Sequence, residues 1–466
     1  MTQTSVFSLS LLLAGVVAGC QGEETGSTRR IASVDASAFS SNFARQWMTN
    51  LENSIKGDGI SPPVAARIYA YGGIAMYEAV VHGMPGHRSL AGQLNGLDEL
   101  PTPDPDLEYD WPTVLAETMH QMMLASVPPF PGAVQRGPYV FPNRIFFEYT
   151  TTSQSPLTTL GPTQIGFRRV AGVSEQVMAN SIAYADQLAA ALVAWTEQDG
   201  YYAVRYKGWV APVGPDKWVP TGFADADRVA IPLEPFFGEV RTLAMTSGDE
   251  CSPANLGLTP PPFSTDPASA FYAQALATYN TSLGLNDEQR IIARYWADGP
   301  VDTGTPAGHW VAITSMLLRD ANLADAARAY AFVSMGFLDS FIAVWESKFQ
   351  YNLLRPTTYI RRHIDGDWLS LLPTPQFPTY VSGHSGQSGA SARLLAEIFG
   401  TGPFTDTTKV RRGFAPRTFP NFDAAAEEAA LSREYGGIHF PMDDNDGLVV
   451  GRCVADKIID RVHLEE

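Results

Sequence analysis

Cysteine is scarce, basic residues are outnumbered, and beyond the first twenty residues no second long apolar run is evident by eye. Each shortage excludes something. The three cysteines, Cys20, Cys251 and Cys453, form no CxxC and no Cys/His spacing, which argues against a zinc site. With 32 Lys+Arg against 49 Asp+Glu, the formal net charge is −17. Nucleic acid is therefore not an expected partner, because phosphate backbones demand basic surfaces. Any positive site must then be local, and a cationic pocket in an acidic protein draws a small anion to one place. No internal repeat or low-complexity tract stands out.

What is present is a hydrophobic content of 45%, enough for a substantial core. The roughly 440 residues after the N-terminal segment exceed one simple core, so one double-lobed domain or two intimate halves are expected. Residues 1–19 look like an export signal, polar at first and then apolar from Val6 to Val17, too short for a permanent span. The small residues before Cys20 resemble a bacterial lipobox, which makes Cys20 a candidate lipidation site. A plain secretory signal is the alternative, since the first residues lack Lys and Arg. Residues 20–33 then form a small, polar and acidic tether. In an exported chain Cys251 and Cys453 either pair or stay as two buried thiols.

Periodicity predicts an all-α fold of two helical halves, residues 34–200 and 265–466, with a long irregular connection over 201–264. Helices are expected over 40–51, from Pro62 to Val81, and over 112–123, 174–195 and 267–282. Asn286 to Gln289 has the form of a capping box, and one long helix is expected over 323–351. The last two helices are placed over 424–435 and 444–462, with Gly436-Gly437 as a stop. Residues 94–111 and 128–163 are rich in breakers and are expected to be irregular, and short strands are expected around 201–206. A 64-residue connection is uncommon unless functional, and it can shape the mouth of a pocket.

Three clusters between Trp345 and Asp443 carry the chemistry. Lys348 is followed after six residues by Arg355-Pro356. Phe377-Pro378-Thr379-Tyr380-Val381-Ser382-Gly383-His384 leads into a stretch of helix formers. Ser432-Arg433 is followed after five residues by His439 and after three more by Asp443. One Lys and two Arg supply positive charge and N–H donors, and Ser382 with the Gly383 amide adds short-range donors at a helix start. That set suits phosphate or vanadate. Asp443 stands where it can orient the imidazole of His439. Singly, a Lys–Arg spacing is usually a solvated face, a histidine a core residue and Ser-Gly-His a turn. Their order and spacing together favour a site.

Lys348-x6-Arg355-Pro356, Ser382-Gly383-His384 and Ser432-Arg433-x5-His439-x3-Asp443 together resemble the signature shared by vanadium-dependent haloperoxidases and type 2 phosphatidic acid phosphatases. The family pattern usually has proline before Ser-Gly-His, where this chain has Val381. The resemblance implies an all-α haloperoxidase-like fold with the site in the C-terminal bundle. It further implies one vanadate, its oxygens held by Lys348, Arg355, Ser382, Gly383 and Arg433. His439 would be the axial ligand and His384 the acid–base residue. Lys348 would polarise bound hydrogen peroxide while a halide is oxidised to hypohalous acid, which halogenates a small organic acceptor.

Trp345 and Phe377 resemble the aromatic pair beside the site in the fungal chloroperoxidase type; core packing is the alternative reading. The runs 61–81 and 295–300 also resemble family segments. The second makes Asp298 a support residue that pairs with a site arginine, unless it is an exposed helix cap. His309 nearby is expected to be structural. The same signature serves a soluble phosphatase with a phosphohistidine at His439. The lack of further apolar runs counts against the membrane-embedded phosphatases. A non-catalytic surface lipoprotein is the third reading, disfavoured because the whole charged set is present. Export, attachment to a bacterial membrane only through Cys20, and a homodimer complete the expectations.

Overall fold

Helices make up most of the chain's regular structure. A computed structural model describes residues 33–124, 156–205, 207–221 and 232–466, together with two short strands, β1 (Val134–Arg136) and β2 (Tyr139–Phe141). Cys20 and the expected signal and tether lie outside the described residues, apart from residue 33. The N-terminal half contains α1 (Asn42–Asp58), α2 (Pro62–Val80), α3 (Trp111–Leu124), α4 (Pro156–Val170), α5 (Glu175–Thr196) and α6 (Tyr201–Arg205). The C-terminal half contains α7 (Ala270–Leu283), α8 (Asp287–Tyr295), α9 (Pro300–Thr303), α10 (Thr305–Leu317) and α11 (Leu323–Tyr351). It continues with α12 (Pro356–His363), α13 (Gly383–Phe399), the hairpin β3 (Phe404–Asp406) and β4 (Arg417–Phe419), then α14 (Phe422–Tyr435) and α15 (Pro441–Arg461). The fold is two helical bundles.

Local chemistry sets many of these boundaries. Pro62 and Pro63 open α2, where a missing N–H costs nothing. Ser174 Oγ accepts from the Val177 amide, and Asn286 with Gln289 closes a reciprocal capping box before α8.

Two segments differ from the sequence expectation. Helix α4 occupies part of the stretch expected to be irregular and carries Pro162 inside it. It forms because Leu157 and Ile165 are buried, while Gln164 bonds Trp47 Nε1 and the Phe43 carbonyl at 3.0 Å each. Tertiary contact outweighs the breakers there. Around 201–205 the chain is helical rather than extended, because the buried Asp199 carboxylate accepts from the Tyr201 amide at 2.9 Å and fixes the turn.

Helix α11 joins the two bundles, with α2 on one side and α13 and α15 on another. Both α5 and α11 are long and apolar enough to cross a membrane by length and composition. This corrects the impression that no such run exists beyond the N-terminus. For α11 the reason is enclosure by protein: Leu323 through Lys348 is buried almost throughout, as a helix apolar on every face must be. The irregular connection is tied to this helix by Asp339. Its buried carboxylate accepts from the amides of Leu243, Ala244 and Met245 at 2.6–3.1 Å. A Cys251–Cys453 disulfide, closing a sequence separation of 202 residues, fastens the same connection to α15.

Helices α13 and α15 approach until only glycine fits. A Cβ at Gly451 would lie 1.9 Å from the Gly386 carbonyl oxygen, and one at Gly389 would lie 2.7 Å from the Leu448 oxygen. Since α13 begins at Ser382 and α15 at Pro441, this contact fixes how the second and third sequence clusters meet. Gly451→Ala should therefore force the helices apart and lower stability by roughly 1–3 kcal/mol. Chemical denaturation with an unchanged midpoint would contradict this.

Candidate active site

Five helix ends supply the clustered residues. Trp345 and Lys348 lie near the C-terminus of α11, Arg355 is the N-cap of α12, and Ser382 is the N-cap of α13 with Gly383 and His384 in its first turn. Arg433 closes α14, His439 lies in the turn that follows, and Asp443 is in the first turn of α15. The Ser382 amide donates to the Asp443 carbonyl at 2.9 Å, joining the two helix starts. A cavity of about 320 Å³ is lined by Asp298, Trp345, Phe377, Gly383, His384, Arg433 and His439, among others.

The cations are buried. Lys348, Arg355 and Arg433 are 0–3% exposed. The Lys348 ammonium donates to the carbonyls of Pro378, Thr379 and Val381 at 3.0, 2.8 and 2.5 Å. It thus anchors the loop that carries Ser382, and holding an oxyanion means exchanging one of these bonds. Burial and the neighbouring Arg355 push its pKa well below the usual lysine value against the pull of Asp443 and Asp444. Arg355 donates to the carbonyls of Phe377 and Ile438, both at 2.8 Å, and its Nη1 lies 3.1 Å from His439 Nε2. Arg433 donates to the Trp296 carbonyl at 2.8 Å.

Both histidines are held neutral. Burial, then Arg355, Lys348 and Arg433, keep the His439 pKa well below its ordinary value. Its Nδ1–H donates to Asp443 Oδ2 at 2.9 Å, so Nε2 carries the lone pair. Burial and Arg433 depress His384 likewise, and one of its ring nitrogens donates to the Ala297 carbonyl.

Trp345 and Phe377 are buried core residues that also face the cavity. They pack at 5.0 Å between ring centroids, and both line the cavity. The Phe377 ring faces Lys348 Nζ at 5.1 Å and Arg355 Cζ at 4.9 Å.

Asp298 is buried rather than an exposed cap, and its partners are not arginines. It accepts from Lys409 Nζ at 2.5 Å and pairs with His309 Nδ1 at 3.0 Å, while His309 Nε2 reaches Asp406 at 2.9 Å. Of the site arginines, Arg433 donates to the Trp296 carbonyl and feels the Asp298 charge without a hydrogen bond to it. Burial alone would raise Asp298, but Lys409 and His309 hold it far below the carboxylate range. Burial and Lys409 would lower His309, but the two carboxylates outweigh them and raise it.

Sequence reasoning also passed over Thr379. Its hydroxyl donates a short hydrogen bond to the same Asp443 oxygen that holds His439. Its place inside the second cluster was the available signal. Lys409 and Asp406 carried none, since they lie outside all three clusters.

A helical protein with cations, a neutral imidazole lone pair and an N-terminal helix turn around one cavity is of the oxyanion-binding class. Comparisons with known proteins narrow this. Residues 328–464 match the model of the second helical-bundle domain of vanadium chloroperoxidase. The vanadium chloroperoxidase of Curvularia inaequalis is 24% identical over 306 residues, 55% of this chain and 48% of that protein. The chain thus aligns with about half the length of that relative. The crystal structure of a bacterial vanadium-dependent iodoperoxidase superposes with a TM-score of 0.78 at 29% identity, covering 92% of this chain and 98% of that one. A bacterial vanadium-dependent chloroperoxidase in its apo form, 13% identical with a TM-score of 0.58 over 88% of this chain and 97% of that one, shares the fold. The chain is thus similar to the vanadium haloperoxidases, in its second helical bundle by the domain model and over most of its length by fold.

The Asp298–His309–Asp406 cluster predicts a pH signature. Depressed carboxylates stabilise the fold above the unfolded Asp value of about 4, and that stability is lost as pH falls. A raised imidazole stabilises it below about 6.5, and that part is lost as pH rises. His309→Gln should remove the alkaline decline from the profile of melting temperature against pH. A variant profile running parallel to wild type would contradict this.

Proposed function

We propose that the protein is a vanadate-dependent haloperoxidase, using hydrogen peroxide to oxidise a halide to hypohalous acid for halogenation of small organic acceptors. The observation that carries this is unmet hydrogen-bonding capacity. Arg433 Nε, a donor, and the second His384 ring nitrogen, an acceptor in the neutral imidazole, are buried with no hydrogen-bond partner among the described residues, and both residues line the cavity where His439 lies. A tetrahedral oxyanion carrying one proton would satisfy both, one oxygen accepting from Arg433 Nε and the hydroxyl donating to His384, and would balance the buried positive charge. Vanadate fits the donor set.

In this reading His439 Nε2 would hold the metal in place of its present contact with Arg355 Nη1, and Asp443 with Thr379 fixes the tautomer that leaves a lone pair there. Arg355, Arg433, Ser382, the Gly383 amide and Lys348 would hold the oxygens. Bound vanadate supplies a Lewis-acidic centre that activates peroxide without changing oxidation state. His384, neutral and lining the cavity, is the group placed to take and return a proton. Trp345 and Phe377 present an apolar wall where a weakly hydrated halide can approach.

The Cys251–Cys453 disulfide supports an exported location, because such bonds persist in oxidising compartments. Anchoring through Cys20, or secretion, completes that proposal.

Purified protein loaded with orthovanadate should halogenate a phenolic dye in the presence of peroxide and halide. His384→Ala should lower the rate by about 10²–10⁴-fold, and His439→Ala should reduce it to background. Hydrolysis of an aryl phosphate, with no halogenation by the vanadate-loaded protein, would make it a phosphatase instead. Inactivity in both assays would favour a non-catalytic lipoprotein.

A further inference from the structure

His309 and Lys409 touch Asp298 on the catalytic side, yet they also line a second cavity of about 420 Å³. Asp302 lines both cavities. The second is built from α1, α10 and the turn between β3 and β4. Arg45, Lys56, Arg319, Lys409, Arg411 and Arg412 all line it, against two carboxylates, Glu52 and Asp302. In a chain with 32 Lys+Arg and a net charge of −17, six cations around one cleft are a marked reversal of sign.

The local pairings do not neutralise it. Lys56 pairs with Glu52 at 3.0 Å, Lys409 with Asp298 at 2.5 Å, and Arg412 reaches Asp302 only at 3.7 Å. Arg45 bonds neutral acceptors, the Ser315 carbonyl and Asn42 Oδ1, both at 2.8 Å. The side chains of Arg319 and Arg411 have no hydrogen bond or ion pair among the described residues. Three guanidinium groups thus remain without a carboxylate, facing a cavity large enough for a small ligand.

We propose that this cleft is a second oxyanion site, binding a small ligand with two or more negative charges, of phosphate or pyrophosphate size. Guanidinium groups match such oxygens in paired hydrogen bonds, and the field they focus attracts a multivalent anion against the charge of the whole chain. The site is separate from the cavity at His439 and does not depend on the reaction proposed there.

Titration calorimetry of the full chain with pyrophosphate tests this, using wild type, the Arg411→Ser/Arg412→Ser pair, Arg319→Ser, and Arg433→Ala as the catalytic-cavity control. The expected result is a binding event that survives Arg433→Ala. It should weaken about tenfold or more in the double variant, and also in Arg319→Ser on the facing segment. Melting temperatures equal to wild type would show that these surface variants remain folded. The proposal is overturned if both cleft variants bind with wild-type affinity and stoichiometry. It is also overturned if Arg433→Ala abolishes all binding.

Discussion

Burying Lys348, Arg355 and Arg433 near His439 creates an electrostatic demand that the rest of the site is arranged to manage. A buried cation is tolerated only when oxygen atoms surround it. Here carbonyls from 377–381, 438 and 296 do much of that work. They hold the cations in place without cancelling their charge as carboxylates would. Burial first, and then the same field, keep His384 and His439 neutral, so a lone pair is available at neutral pH in a highly cationic environment. Asp443 and Asp298 lie at the edges of this field. One orients His439 and the other is engaged by Lys409 and His309.

The scaffold converts that local demand into geometry. Helix α11 is enclosed along most of its length, so Trp345 and Lys348 emerge from a rigid element. Helices α13 and α15 are locked by backbone contact at their glycines. Their N-termini, bearing Ser382 and Asp443, are bonded directly to each other. Asp339 and the disulfide hold the irregular connection against this core, which keeps Leu233 in place to accept from Trp345 Nε1 at 3.1 Å.

Helix starts and stops were legible in the sequence because caps act over three or four residues. Ser174, Asn286 and the span of α11 are examples. The three clusters were legible because their spacing is short and specific. What depended on distant partners was not. Helix α4 forms through contacts to Trp47 and Phe43, more than a hundred residues away in the chain. Asp298 forms its hydrogen-bonded ion pair with Lys409, 111 positions away, a partner that no local spacing marked. The pairing of Cys251 with Cys453 was undecidable from two isolated residues. Lys348 was identified as a charge, but nothing local indicated that three carbonyls would claim its protons.

The most direct test of the central claim is where vanadium binds. Crystals soaked in orthovanadate, examined by vanadium anomalous scattering, should show one peak bonded to His439 Nε2, with Arg355 and Arg433 on its oxygens. A cavity left empty at saturating orthovanadate, or a vanadium peak with no bond to His439, would contradict the account.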